Sequence, residues 1–495
     1  MIVEYQDSVL TEEFLMGTDS GKRVLLVNTN MEKAPYPVPP LGLCLLAASL
    51  ESEFTVKVYD GVFDEGRSLI ALVDQFKPDF IGFSIRNIDD VVMDRQVFYI
   101  DGILKDFILP VRKHTSVPII LGGSGFSIFP KELMLLCEAD YGVVGDAEHI
   151  LPLLLQRLKN NECVGDLPNV LHTGNTSVKP GCYPDRRAGI SLNFSEIDCR
   201  IDFQPYFNKG VYSIQTKRGC SHGCIYCTYP VIEGSVFRRR DPVEIVDEIE
   251  QTHHRIGPIT FEFVDSTFND PKGHAEAICR EIINRRLKIR LRTMGINPRH
   301  SSEELFELMM EAGFAQIDAT PDSASPTVIR NLDKGFDLHE VQQMAKLIRK
   351  FNLPTMWFFL FGGPGEDETT FRETLDFIDE YINPEDMVYM TAGLRIYPNT
   401  PLYQIALKEG KIRSDQSILT PSVFYYSDKI GKNRLDSLMN EASRDRYNCI
   451  PALETTPPPE MMSEAMQMRN SQQLTEPMFR TLLKIRKQWR IEGKI

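Results

Sequence analysis

At 495 residues the chain is too long for one ordinary core, so two or three domains are expected. Apolar residues make up 42% and charged residues 25%, a globular balance, while a net charge of −14 argues against a general nucleic-acid binder, because phosphate binding needs an excess of Lys and Arg. No apolar run approaches the roughly 20 residues that span a bilayer, and the acidic start MIVEYQDSVLTEEF has no signal-peptide core, so the cytoplasm is the expected location.

In chain order, residues 1–20 read as a short extension. Over 21–160, short apolar runs alternate with helical stretches. The runs Arg23–Thr29, Phe54–Tyr59, Phe80–Ser84, Pro118–Leu121 and Tyr141–Val144 read as strands. Leu41–Leu50, 67–77, 94–114, 131–138 and Ile150–Leu158 read as helices. This is the pattern of a doubly wound parallel sheet covered on both faces. Residues 161–205 lack clear periodicity and read as a linker with some structure of its own.

Alternation resumes over 206–410. Strands are expected at Tyr212–Lys217, Ile259–Val264, Ile289–Met294, Ala315–Thr320, Met356–Phe361 and Val388–Ile396, with helices such as Val243–Arg255 and Glu303–Ala312 between them. Six such units fit a partial (β/α)6 barrel. Residues 411–495 are less regular and read as a mainly helical capping region, in which the prolines of Thr455–Glu460 should break any helix. The basic segment 480–495 reads as a packed terminal helix, with an anionic membrane surface as the alternative. His253-His254 reads as solvated and Cys279 as core.

Ten cysteines in so long a chain make no disulfide framework. Seven are scattered, and three sit together as C-x3-C-x2-C: Cys220, Cys224 and Cys227 in RGCSHGCIYCT. Three soft thiolates on one loop select an iron–sulfur cluster or zinc. Structural zinc usually takes four ligands, and His222 is the fourth on paper, though its place inside the loop leaves little slack for a closed tetrahedron. Three cysteines on a four-iron cube leave one iron open for reaction. The loop follows a strand, at the end where barrel sites form.

With Tyr226 in its aromatic place, this loop resembles the C-x3-C-x-aromatic-C signature of the radical S-adenosylmethionine (SAM) superfamily. The resemblance implies that the open iron binds SAM, which breaks into methionine and a 5′-deoxyadenosyl radical, and that a donor such as flavodoxin or ferredoxin supplies the electron. It covers about 205–405 and implies SAM contacts at Tyr226, at Asp265 after the second strand, at the Asp322-Ser323 pair after the fourth, and at Gly362 and Gly363 after the fifth. Asp322 stands where many members have Glu, one methylene longer, a departure from the family pattern at the ribose contact.

The first domain, before such a barrel, resembles the cobalamin-binding, flavodoxin- or Rossmann-like domain of cobalamin-dependent radical SAM enzymes. The pieces that carry this are Pro39–Leu43, Gly122-Gly123 and Gly145-x-x-Glu148. Ligands of such sheets lie at the carboxyl ends of the strands, which makes Asn28, Ser84, Arg86, Asn87, Gly122, Gly123, Ser124, Gly145 and Glu148 the cobalamin-binding candidates. A docking domain that binds no ligand is the alternative. D-x-H-x-x-G, whose His ligates cobalt from below, is absent. His114 and His149 are poorly placed, so the lower face is expected to lack a His ligand and the loop Ser84–Asn87 to face cobalt.

The resemblance implies C-methylation of an unactivated carbon in a small molecule or peptide. Ring formation, rearrangement or oxidation by the same radical is one alternative, and a sensor with a closed metal site is another. A methylthiotransferase needs a second cysteine triad, for which only Cys44, Cys137 and Cys163 are available.

Overall fold

The computed structural model describes residues 21–33, 36–174, 197–207 and 210–495. The first sheet contains β1 (Arg23–Asn28), β2 (Thr55–Asp60), β3 (Phe80–Ser84), β4 (Ile119–Gly122), β5 (Tyr141–Val143) and β6 (Val170–His172). These six strands lie in the order β2-β1-β3-β4-β5-β6. The first five are parallel, and β6 adds antiparallel to β5.

Side-chain alternation explains why β1 is apolar throughout. Val24 and Leu26 pack with Leu43, Ala47, Leu151 and Leu154 on one face. Leu25 and Val27 pack with Phe83, Phe107, Val111 and Leu121 on the other. Both faces are therefore buried under helices, as in a doubly wound fold. The order reverses between β1 and β3, which opens the crevice where such sheets take ligands. The helical stretch expected at 94–114 starts only at Tyr99, because Asp89 and Phe98 bridge across the preceding loop. The sixth strand comes from the stretch read as linker; at three residues it is too short to show a period.

The barrel begins with β7 (Tyr212–Ile214), and a short antiparallel pair follows, β8 (Lys217–Arg218) with β9 (Arg238–Arg239). Next come β10 (Thr260–Phe263), β11 (Arg290–Ile296), β12 (Phe314–Asp322), β13 (Thr355–Phe361) and β14 (Met387–Ala392). A second antiparallel pair, β15 (Leu394–Arg395) with β16 (Phe424–Tyr425), precedes β17 (Cys449–Pro451). Seven of these strands form one parallel sheet in the order β17-β14-β13-β12-β11-β10-β7.

Outward side chains such as Phe261, Phe263, Trp357, Phe359 and Phe361 are buried in one large core against the surrounding helices. Their inward neighbours Met356, Phe358 and Leu360 are only half-buried, so the lumen is not filled by side chains.

Three boundaries depart from the sequence expectation. The first barrel strand stops at Ile214 instead of Lys217, because the Asp265 carboxylate accepts the backbone N–H groups of Thr216 and Lys217 at 2.8 and 3.2 Å. The sixth breaks at Gly393, whose φ of +75° turns the chain into β15. A seventh strand, β17, arrives from the C-terminal region, where its three residues gave no pattern.

The tail supplies the helices Lys432–Asp445, Pro459–Gln472 and Met478–Ile491. The last buries Phe479, Leu483, Ile485 and Trp489, while Lys484 and Arg486 pair with Glu476 and Glu454. Its apolar face is thus spent inside the protein, which removes the membrane-surface alternative. No helix among the described residues is long and apolar enough to cross a membrane.

Candidate active site

The carboxyl ends of the first sheet face the barrel mouth across a cavity of about 330 Å³. One wall is made by Asn28, Ser84, Arg86, Gly122, Gly123, Ser124, Gly145 and Glu148, eight of the nine residues expected at a cobalamin site. Asn87 lines a neighbouring cavity of about 220 Å³, and Arg86 lines both. The opposite wall belongs to the barrel: Ser213, Gln215, Arg218, Glu233 and Val264.

The glycines fit a bulky ligand. A Cβ on Gly42 would meet nothing within 4 Å, and one on Gly122 only the Val143 carbonyl at 3.9 Å, so both leave room on the cavity side. Gly123 has φ of +99°, and a Cβ there would sit 2.6 Å from the Ile85 carbonyl oxygen, so the turn after β4 requires glycine.

Several expected contacts are taken by the protein itself. Asn28 donates to Asp60 at 2.8 Å, and Ser124 donates to the Arg86 carbonyl at 3.0 Å. Among the described residues no histidine lines the cavity; His114 pairs with Asp74, and His149 stands just before the helix Ile150–Lys159.

The Glu148 carboxylate, on the cavity wall, is held by Arg218 at 2.5 Å. Arg218 also reaches Asp146 at 3.3 Å, and Arg238 reaches the same Asp146 at 2.6 Å. Burial pushes the Glu148 carboxyl up, but the guanidinium overcomes that and holds it below the usual range. Glu148 is a buried clamp between the domains, and sequence reasoning missed its partner although Arg218 stands two places before Cys220.

The cysteine loop hangs on this clamp. Gly219 donates its N–H to Glu233 at 3.0 Å, and Cys220 donates to the Gly234 carbonyl at 3.1 Å. From below, Ser266 donates to the Gly219 carbonyl at 3.0 Å, and Ile225 donates to the Leu332 carbonyl at 3.1 Å. Burial raises all three thiols, Cys227 to about 12. Bound iron would strip the thiol protons, because a multivalent cation outweighs the cost of burying thiolates.

Among the described residues no three His, Cys, Asp or Glu side chains converge on a point for a single ion. The fit therefore rests on donor chemistry: three unpaired thiols on one loop suit a cluster with an open iron. His222 is engaged elsewhere, its Nε2 lying 2.7 Å from Asp270. Cys44, Cys137 and Cys163 lie apart, in the barrel-side core, in the other face of the first domain and on the surface, so they form no second triad.

On the SAM side, Tyr226 donates its hydroxyl to Asp322, and Lys334 donates to the same carboxylate at 2.5 Å. Lys334 also lies 3.1 Å from the Tyr226 hydroxyl. Burial disfavours its ammonium, but Asp322 reverses the effect and holds the charge. This knot ties the cysteine loop to the end of β12, and Lys334 carried no sequence signal. Ser323 accepts the Ser325 N–H at 3.0 Å and meets the Thr374 hydroxyl at 3.3 Å. Glu366 accepts the amides of Gly362 and Gly363, and burial raises its carboxyl to about 8.

Asp265 is engaged within the protein as well. It receives two bonds from Thr216 and two from Lys217, and the Lys217 and Asp265 side chains are fully buried. With four bonds received, Asp265 shapes the loop before Cys220.

Comparison with known proteins agrees with this geometry. Residues 27–155 match the B12 binding domain and residues 214–378 the radical SAM superfamily. The tryptophan 2-C-methyltransferase of Streptomyces laurentii is 28% identical over 443 residues, 76% of this chain and 73% of that protein. The cytidylyl-2-hydroxyethylphosphonate methyltransferase of Streptomyces wedmorensis is 22% identical over 426 residues, 72% and 77% of the two chains. Among solved structures, the radical SAM methyltransferase of Kitasatospora setae, with tryptophan and a SAM analogue bound, superposes with a TM-score of 0.78 at 23% identity, covering 96% of this chain and all of that one. A B12 binding domain over 27–155 followed by a radical SAM match over 214–378 marks an enzyme whose cofactors are a [4Fe–4S] cluster, SAM and cobalamin.

Proposed function

We propose that the enzyme transfers a methyl group from SAM, by way of cobalamin, to an unactivated carbon of a small-molecule or peptide substrate. The observation that carries the reading is the cavity walled jointly by the carboxyl ends of the first sheet and by Ser213, Gln215, Arg218, Glu233 and Val264 of the barrel. A methyl donor held there would be walled on one side by the barrel whose loop bears Cys220, Cys224 and Cys227. The relatives in both Streptomyces species, matched over most of their lengths, are methyltransferases.

When bound, the cluster supplies an electron for SAM cleavage, and cobalamin supplies the methyl group. The chain's own residues bind, orient and exclude water. Cys220, Cys224 and Cys227 would hold the cluster. Tyr226, Asp322, Ser323 and the Gly362-Gly363 turn would shape the SAM site. Asn28, Ser84, Arg86, Gly122, Gly123, Ser124 and Gly145 would cradle cobalamin, with Asn87 beside them. The Arg218 clamp closes the first domain over the barrel mouth, which keeps water from a reactive radical. The electron would come from a donor of the flavodoxin or ferredoxin class, and the unpaired thiols suit the cytoplasm.

The test needs no substrate. Reconstituted protein is given reduced cobalamin and SAM labelled in its methyl group. S-adenosylhomocysteine and a labelled, protein-bound corrinoid are expected. If SAM yields only 5′-deoxyadenosine and methionine, with no label on the corrinoid, methyl transfer is wrong and radical rearrangement or oxidation replaces it.

A further inference from the structure

The inner face of the barrel carries charges that neither the cluster loop nor the cobalamin cavity uses. Glu262 on β10, Arg292 on β11, and Gln316 and Asp318 on β12 alternate with the outward core residues Phe261, Leu291 and Ile317, and so point into the lumen. Glu262 is satisfied. Arg292 lies 2.7 Å from it, and Tyr36 of the first domain donates its hydroxyl to it at 2.6 Å. Arg292 in turn donates to the Tyr36 hydroxyl at 2.9 Å and stacks on its ring at 4.5 Å.

Asp318 is not satisfied. Only 6% of it is exposed, yet its one hydrogen bond among the described residues is a long one from Gln316 to Oδ1, 3.3 Å, and Oδ2 has none. Two carboxylates share one guanidinium, so the ionised lumen holds a surplus negative charge. A buried charge without a partner is costly unless a proton or a ligand neutralises it.

The inner face beside Asp318 is apolar. Met294, which follows Arg292 on the inner face of β11, is 42% exposed. On the other side Met356 pairs with Asp318 across the sheet, and Phe358, two places on, stacks on Tyr389 with ring centroids 5.3 Å apart. Both aromatic rings remain half-buried. The inner face thus offers a carboxylate without a cation of its own, next to the flat apolar wall of Phe358 and Tyr389.

We propose that Asp318 anchors the substrate by a protonated amine, and that the substrate joins this amine to a flat apolar body lying on Phe358 and Tyr389. The inference rests on the reading that the reaction takes place in this lumen, and it names the substrate class for that reaction. Asp318 binds; it takes no part in bond making.

The test uses the full-length, cluster- and cobalamin-loaded protein with three probes of similar shape: phenethylamine, 2-phenylethanol and 3-phenylpropionate. Binding is read by ligand-observed NMR, which requires no turnover. The amine should bind wild type at least about tenfold more tightly than the alcohol, and the carboxylate should not bind. Asp318→Asn should erase the amine's advantage and leave the alcohol unchanged, and Asp318→Glu should restore part of it. Cluster and corrinoid absorption must match wild type in both variants. Unchanged amine affinity in Asp318→Asn, equal loss of amine and alcohol, equal binding of the carboxylate, or no amine binding to wild type overturns the proposal. Failure of corrinoid methylation would instead strike the proposed function and leave this binding result standing.

Discussion

Replacing Asp265 by Asn separates a structural role from a SAM contact. Asp265 and Lys217 are both fully buried, 2.9 Å apart, and the carboxylate receives three further bonds from Thr216 and Lys217. The amide of Asp265→Asn keeps the shape but loses the charge, and turns an NH₂ group toward an ammonium that has only the Phe268 carbonyl left, at 3.1 Å. Breaking one side of a buried pair costs about 3–5 kcal/mol. With a denaturant slope of about 2–3 kcal/mol per M, the urea midpoint of the barrel transition should fall by about 1–2.5 M. Replacing Lys217 by Met in the same chain should recover part of the loss, because no charge is then stranded. Equilibrium dialysis of SAM against the reconstituted variant, below its unfolding range, should give a dissociation constant within about threefold of wild type. An unchanged urea midpoint together with a hundredfold weaker SAM affinity would refute the reasoning and return Asp265 to the SAM site.

Three further outcomes follow from the same geometry. Replacing Cys220, Cys224 and Cys227 together by Ala should take anaerobically reconstituted iron from about four per chain to none, while Cys137→Ala leaves it unchanged; iron retained by the triple variant would contradict the cluster assignment. Gly123→Ala, which sets a Cβ 2.6 Å from the Ile85 carbonyl at a φ of +99°, should weaken cobalamin retention by about tenfold or more with full iron content, measured by absorption after gel filtration. Glu366, raised to about 8 in the fold, contributes stability that is fully present below its unfolded value of 4.5 and is lost as pH rises through 8. Wild type should therefore lose about 3–5 kcal/mol between pH 5 and 9 through this group, and Glu366→Gln should lack that part of the slope; parallel pH profiles would show that Glu366 is ionised throughout.

The parts of the fold legible in the sequence were those whose side chains meet one uniform environment. β1 and β3 are buried on both faces and read as unbroken apolar runs, and β10 and β13 carry Phe-rich cores. Strands β6 and β17, three residues each, add to sheet edges through backbone bonds that leave no periodic trace. The cysteine loop was legible because three thiols at that spacing have few other uses. The cavity wall proposed for cobalamin was legible from strand ends, and the cavity gathers all but Asn87 of the expected residues. What escaped were partners distant in sequence. Arg218 finds Glu148 across 70 residues, and Lys334 finds Tyr226 across 108. Asp265 and Glu148 have the residue type of a ligand contact, and only the placement of a buried cation shows that each is already engaged.

The Arg218 and Arg238 clamp has a consequence for how such a chain can be taken apart or recombined. A B12-binding domain invites use as a cassette, joined to another barrel by a linker. Here the first domain brings Asp146 and Glu148 to the seam, and the barrel brings the two guanidinium groups that neutralise them. A transplanted domain facing a barrel with apolar residues at 218 and 238 would bury two naked carboxylates, while the donor barrel would keep two unanswered cations beside its cluster loop. The seam therefore works as a matching code: only halves that carry opposite charges at these positions close, and only a closed seam completes the wall of the cobalamin cavity.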